Sequence, residues 1–226
     1  MRIFVTGFHR AGSKSIAEHM AWKNNLPWVE EHEIDLWDFR RVKALVNCHI
    51  FDPKTNQFVY KPMLEGGFVL QCPFLAHKVK DLVWYCDKVY WADRNEIDMI
   101  TSMKNGNFEG TALFIIKQFH DEFPNDPYWK SETFTNDEYI EKYFLLNSGD
   151  KYPQLEKDSW IRYYKLVVDV KKYFFETKFK RFCESVRLED LPIYDSTKHL
   201  SGKKPLQGWE LDEIKQSQNN QEVLWR

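Results

Sequence analysis

The sequence has few cysteines and no apolar run long enough to cross a membrane. Its cysteines, Cys48, Cys72, Cys86 and Cys183, are scattered without a C-x-x-C pair, which argues against a disulfide framework and against a zinc site. A transmembrane helix needs roughly 20 consecutive apolar residues, and no stretch of the sequence approaches that length. We therefore expect reduced thiols, no metal site, and a cytoplasmic protein that is not inserted in a membrane.

The sequence also lacks an excess of charge of either sign. It carries 32 Lys and Arg against 34 Asp and Glu, a formal net charge of −2 over 226 residues. Without a general positive field, binding to nucleic acid or to a membrane surface is not expected, and any basic patch must be local. Internal repeats and low-complexity linkers are absent as well. A chain of this length that is 43% apolar can bury one substantial core, so we expect a single domain over residues 1–226.

The N-terminal segment changes from an apolar run to glycines and cations, and then to a helical pattern. Residues 3–7 predict a strand, and the apolar spacing from Ile16 onward predicts a helix. Unpaired N–H groups and the positive dipole end meet at a helix start and favour an anion there. Gly7 lets the backbone bend at the end of the strand. The phosphate-binding loop predicted from this pattern is Arg10-Ala11-Gly12-Ser13-Lys14-Ser15.

The position of the lysine in this loop distinguishes two kinds of phosphate site. A Walker A loop places the lysine directly after the second glycine, whereas here Ser13 separates Gly12 from Lys14. The order (K/R)-x-G-(S/T)-(T/K/R) resembles the 5′-phosphosulfate loop of sulfotransferases that use 3′-phosphoadenosine 5′-phosphosulfate (PAPS). It is most similar to the loop of heparan-sulfate-type enzymes, where a basic residue follows the Ser/Thr. The resemblance implies that Arg10 binds PAPS and stabilises the leaving 3′,5′-ADP.

A second segment is similar to the same family. Residues 88–92 predict a buried strand, Arg94 follows it, and Ser102 lies eight residues later on a predicted helix. In sulfotransferases a strand, an Arg and a Ser at this spacing hold the 3′-phosphate of PAPS, so the resemblance implies that role for Arg94 and Ser102. The alternative is a salt bridge from Arg94 to Glu96 or Asp98 at the helix start.

The remainder of the chain follows a βα rhythm. Together with the resemblance it predicts an α/β fold: three P-loop-like layers, with helices flanking a central, mainly parallel sheet. Further strands are predicted at residues 26–29, at 68–70 and near Val186, a helix is predicted from Trp160 to Phe175, and an irregular cap at 105–153. The last strand runs into Arg187-Leu188-Glu189-Asp190-Leu191, which resembles the R-Y-E-D-L segment of many sulfotransferases with Leu188 in place of the aromatic residue.

Sulfuryl transfer needs a base that accepts the proton of the acceptor hydroxyl. In the small-molecule sulfotransferases this base is the histidine of a Lys-Thr-His segment, but this chain has Gln71-Cys72-Pro73 at that place. The heparan-type enzymes use a glutamate after the first helix, which implies Glu33 as the base. Glu31, His32 and His77 are the alternatives, and a solvated acidic run is the other interpretation of this segment.

A basic segment near the C-terminus contains Lys203 and Lys204 between Gly202 and Gly208. It is similar to the late glycine-containing loop with which sulfotransferases cover the nucleotide. The resemblance implies that both lysines contact the bound PAPS, while an exposed basic loop is the alternative.

Three function classes follow from these observations. The first is transfer of a sulfuryl group from PAPS to a hydroxyl of a small molecule or carbohydrate, the latter favoured by the closeness of Trp22, Trp28 and Trp37. The second is a P-loop kinase that uses ATP and Mg²⁺, with Lys14 or Ser15 on the nucleotide and Asp93 as the acid for magnesium. The third is a sulfotransferase-like protein that binds a nucleotide without catalysing transfer.

Overall fold

The structure is a computed structural model that describes residues 1–30, 39–52, 54–106, 108–131 and 159–192, together with Phe134, Asp137, Ile140 and Asp212. The chain divides into two compact units. The first unit comprises Met1–Asn95 and Lys171–His199, and the second comprises Glu96–Val170 and Leu200–Arg226.

A five-stranded sheet forms the centre of the first unit. Its strands are β1 (Arg2–Gly7), β2 (Trp28–Glu30), β5 (Phe68–Gln71), β6 (Lys88–Asp93) and β7 (Glu184–Arg187). All neighbouring strands are parallel, in the order β2-β5-β1-β6-β7. The predicted α/β fold with a parallel sheet is therefore confirmed.

The central strands are apolar almost throughout because helices and loops cover both faces of a parallel sheet. Residues 3–7 of β1 and all four residues of β5 are buried. Trp91 of β6 is fully buried, and the rings of Phe8, Phe175 and Phe179 pack around it at centroid distances of 5.0–6.0 Å. This aromatic cluster fixes the chain that leaves β1 against the end of β6.

Helices and short helical turns connect these strands. In the first unit the helices are α1 (Ser13–Asn24), α2 (Phe39–Val46) and α3 (Val79–Leu82). Single 3-10 segments cover Pro62–Leu64, Pro73–Lys78 and Leu188–Asp190, and a π-helical segment covers Phe175–Phe179. Helix α1 follows β1 and packs on β5 and β1, so it starts at the carboxyl end of the sheet.

A β-hairpin that the sequence analysis did not predict lies between α2 and β5. Its antiparallel strands are β3 (His49–Asp52) and β4 (Gln57–Tyr60). Asp52 builds the turn by accepting hydrogen bonds from the Lys54 N–H (2.9 Å) and the Thr55 hydroxyl (3.1 Å). Cross-strand ring pairs, such as Phe51 with Phe58, stabilise a hairpin whose second strand is exposed throughout.

The second unit contains α4 (Glu96–Asn105), α5 (Glu109–Glu122) and most of α6 (Trp160–Phe174). Residues 109–122 are thus a regular helix at the start of the segment that the sequence analysis expected to be an irregular cap. Buried positions recur with helical spacing at Ala112, Ile116 and Phe119, which is the pattern that outweighed the polar composition of the segment. No helix among the described residues is both long enough and apolar enough to cross a membrane.

Candidate anion-binding site

The predicted phosphate loop lies at the carboxyl end of β1, the central strand of the sheet. From β1 the chain continues to β2 and β5 on one side, and later to β6 and β7 on the other. In open parallel sheets, ligands bind outside the carboxyl ends of the strands at such a reversal of strand order. The loop over residues 8–12 therefore occupies the place where this fold accommodates a ligand.

Gly7 ends β1 in a conformation that only glycine adopts readily. Its φ is +115°, and a Cβ added there would lie 2.5 Å from both the backbone N and the backbone O of Ala92. The next N–H, that of Phe8, donates to the Ala92 carbonyl at 3.0 Å. The close approach of β1 to β6 thus needs a residue without a side chain.

The loop turns twice through the left-handed region before α1 begins. Arg10 is exposed with φ +61°, and Gly12 has φ +77°. A Cβ on Gly12 would lie 2.5 Å from a methyl carbon of Leu188, so Leu188 packs directly on the loop. A left-handed arginine is a strained choice that is characteristic of functional loops.

The first turn of α1 presents backbone donors. The Ile16 N–H makes the first helical hydrogen bond, to the Gly12 carbonyl at 3.0 Å, so the preceding N–H groups have no acceptor within the helix. No acidic side chain lies in this turn. The Lys14 ammonium lies 5.3 Å from the centre of the Trp28 ring. The local charge is therefore suited to an anion.

Gln71 contacts the loop from the end of β5. The Gln71 side chain is buried, and its amide Nε2 donates to the Ser13 hydroxyl oxygen at 3.0 Å. Because Ser13 accepts this hydrogen bond, its own hydroxyl proton is available to an acceptor such as a phosphate oxygen. Gln71 thus contacts the loop through Ser13.

A fully buried lysine joins three parts of the site. The Lys171 ammonium donates to the Gly7 carbonyl at 2.6 Å, to His9 Nδ1 at 2.7 Å and to the Pro73 carbonyl at 2.8 Å. Burial, the charge of Lys171 and the charge of Arg10 hold the pKa of His9 well below its usual range. His9 is consequently neutral inside the loop.

Arg94 lies at the end of β6, directly beside the β1 end. Its side chain is buried, and its Nε lies 3.8 Å from Glu189 Oε1. Glu189 also accepts from the Asn95 N–H at 3.4 Å, and its other oxygen lies 3.8 Å from Arg187 Nε. Arg94 thus forms an ion pair with Glu189 from the segment after β7, and a buried guanidinium is held at the carboxyl end of the sheet.

Asp93 precedes Arg94 in the same strand end. Its Oδ1 accepts from the Arg94 N–H at 2.8 Å. Burial raises the pKa of this carboxyl above its ordinary value. The acid on which the kinase interpretation depends therefore lies at the end of β6, next to β1, the strand that leads into the loop.

His77, an alternative base, is buried in the turn after β5. Its Nδ1 lies 3.0 Å from the Phe74 carbonyl, and burial lowers its pKa to about 3. A base of this strength takes up protons weakly near neutral pH. The structure thus gives His77 the surroundings of a core residue.

The two buried neutral histidines, His9 and His77, predict a loss of stability in acid. Their folded pKa values lie below the unfolded value of about 6.5, so the unfolded state binds more protons as the pH falls below that value. The stabilisation is complete above pH about 6.5 and is lost as the pH falls below that value; at pH 5, His77 alone has lost about 2 kcal/mol of it. Urea unfolding at pH 7 and pH 5 measures this difference, and His77→Asn should reduce it. An equal acid loss in wild type and His77→Asn would contradict the assignment for His77.

The predicted site residues fall into three groups. The loop over 10–15 and Arg94 meet at one edge of the sheet in the first unit. Ser102 is buried in the second unit, so its pairing with Arg94 stays a prediction. The residues that lie outside the described part of the chain are Glu31, His32, Glu33, Lys203 and Lys204.

Sequence reasoning did not identify His9, Gln71, Lys171 or Glu189 as contacts of the site. For Lys171 a signal existed, because this lysine stands four residues from Val167 and three from Phe174, on the apolar face of α6. A charged residue on such a face needs buried partners. For the other three, the pairing depends on which strand ends are neighbours, which local patterns do not reveal.

Within the described residues, no group of three or more His, Cys, Asp and Glu side chains could hold a metal ion. Comparison of the chain with protein-family models finds no match, and no curated protein matches its sequence.

Proposed function

We propose that this protein is a sulfotransferase that moves a sulfuryl group from PAPS to a hydroxyl of a small molecule or a carbohydrate. The observation that carries the proposal is the placing of two cationic sites at one edge of the sheet. One is the loop over residues 10–15 after β1, and the other is Arg94 after the neighbouring strand β6. A nucleotide with phosphates at both its 5′ and 3′ positions has the matching charge pattern.

The residues present fit such a nucleotide. The first turn of α1 offers backbone donors without an acidic neighbour, and Ser13 has a proton to donate because Gln71 occupies its oxygen. Arg10 and Lys14 add positive charge at the 5′ side. Arg94 would hold the 3′-phosphate, together with Ser102 as the resemblance implies. When bound, PAPS supplies the activated sulfuryl group.

The chain's own residues then supply positioning and charge. Arg10 neutralises the charge that grows on the leaving phosphate, which lowers the barrier more than it strengthens ground-state binding. Glu33 is the proposed base that takes the proton of the acceptor hydroxyl. A carbohydrate acceptor is supported by Trp28, whose half-buried ring lies beside Lys14 at the loop.

A kinase is the second candidate because Asp93 ends the strand next to β1. The register of the loop favours the sulfotransferase instead, because Ser13 displaces the lysine from the Walker A position.

Ligand-induced stabilisation tests the proposal. We expect 3′,5′-ADP to raise the melting temperature of the protein without magnesium, and ATP with magnesium to raise it less, because a ligand bound to the folded state adds RT ln(1 + [L]/Kd) of stability. Thermal shift assays and calorimetry with both nucleotides measure the preference. A strong preference for ATP that depends on magnesium would favour the kinase over the sulfotransferase. Stabilisation by 3′,5′-ADP without sulfuryl transfer from labelled PAPS to any glycan or alcohol would favour a protein that binds the nucleotide but does not catalyse transfer.

A further inference from the structure

We propose that Lys171 is a positioning residue of the anion-binding loop, which it holds through the Gly7 carbonyl and through His9. In this arrangement His9 is kept as the neutral tautomer with its proton on Nε2. The inference rests on the proposed function in one respect, namely that the loop binds the 5′ end of a nucleotide.

The burial of Lys171 requires an explanation. Its side chain is completely buried, on the same face of α6 as apolar residues such as Val167 and Phe174. An ammonium group taken out of water is strongly destabilising unless its donors are all satisfied. Lys171 has three donors, and three acceptors lie at 2.6, 2.7 and 2.8 Å.

These acceptors belong to the parts of the chain that shape the site. The Gly7 carbonyl ends β1, His9 lies inside the loop, and the Pro73 carbonyl follows β5 and Gln71. One side chain from α6 therefore joins the loop to the strand that carries the partner of Ser13. The left-handed turn at Arg10 follows His9 directly, so a shift of His9 would also displace Arg10.

The contact with His9 fixes where the imidazole proton lies. An ammonium group can only donate, so Nδ1 of His9 must accept and the ring proton must be on Nε2. The Phe74 ring, edge-on to His9 at a centroid distance of 4.5 Å, restrains the orientation of the imidazole. The loop consequently contains a neutral histidine of one tautomer and gains no charge from it.

The tautomer is tested on the wild-type protein without any ligand. Long-range ¹H–¹⁵N spectra at pH 7, with His9 assigned by loss of its signals in His9→Asn, should show Nε2 protonated and Nδ1 unprotonated. In Lys171→Met the His9 signals should move towards the average of the two tautomers. A wild-type His9 with its proton on Nδ1, or signals that do not change in Lys171→Met, would overturn the proposal.

The effect on binding is tested with three probes that separate the two ends of the nucleotide. Lys171→Met should weaken binding of 3′,5′-ADP and of adenosine 5′-monophosphate about tenfold or more, and should leave adenosine 3′-monophosphate unchanged. Lys165→Met is the matched control, because Lys165 is a buried lysine of the same helix whose partners are Glu96 and Asp169. Equal weakening of all three probes, or no weakening, would contradict a role in positioning the loop.

The outcomes separate the two proposals. If wild type does not bind 3′,5′-ADP, the nucleotide assignment fails, while the spectra still decide whether Lys171 sets the state of His9. If Lys171→Met does not fold, Lys171→Gln replaces it, since glutamine keeps two N–H donors and loses the charge. The affinity of Lys171→Gln for 3′,5′-ADP should then lie between the affinity of Arg10→Ala, which lacks the cation of the loop, and that of wild type.

Discussion

Gly7→Ala should destabilise the protein by about 3 kcal/mol or more, the sum of a strained left-handed backbone and a steric overlap. At φ +115° the new methyl carbon would lie 2.5 Å from two backbone atoms of Ala92. Backbone atoms of a central strand cannot rotate away as a side chain can, so β1 and β6 would have to separate. Urea unfolding monitored by tryptophan fluorescence measures the loss.

The matched control is Gly66→Ala. Nothing lies within 4 Å of a Cβ added at Gly66, so the free energy of unfolding should change by no more than about 0.5 kcal/mol. Gly7→Ala should also reduce nucleotide binding, because the Gly7 carbonyl is one of the three acceptors of Lys171. A Gly7→Ala protein as stable as Gly66→Ala would contradict the close approach of Gly7 to the Ala92 backbone.

Arg94→Ala should weaken binding of 3′,5′-ADP by about 1.5 to 3 kcal/mol, or roughly 10- to 150-fold, because it removes a buried charge-assisted contact to the 3′-phosphate. Adenosine 5′-monophosphate, which lacks that group, should bind the variant and the wild type nearly equally. Isothermal titration with both ligands measures the difference.

Arg187→Ala separates this effect from the loss of an ion pair. Both Arg94 and Arg187 lie 3.8 Å from an oxygen of Glu189, but the Arg187 side chain is about half exposed whereas Arg94 is buried. Arg187→Ala should therefore leave the affinity for 3′,5′-ADP nearly unchanged. If Arg94→Ala weakens both ligands alike, Arg94 supports the fold instead of binding the 3′-phosphate.

Much of the fold could be predicted because its signals are local. The apolar runs of β1, β5 and β6 predicted buried strands, and the glycines with Arg10 predicted a loop before α1, as the structure has them. Two elements gave no such signal. The hairpin at residues 49–60 is stabilised by cross-strand ring pairs on an exposed sheet, and helix α2 has only Val42 and Leu45 as buried positions.

The sequence by itself determined where the strands of the parallel sheet, the loop and the first helix lie, because backbone preferences and apolar periodicity act over neighbouring residues. Only the tertiary structure decided which side chains complete the site. Gln71 reaches Ser13 across 58 positions, and Lys171 reaches Gly7 across 164. Such pairs form because the order of the parallel strands brings their carboxyl ends together, and because a buried polar group must find its partners wherever the fold places them.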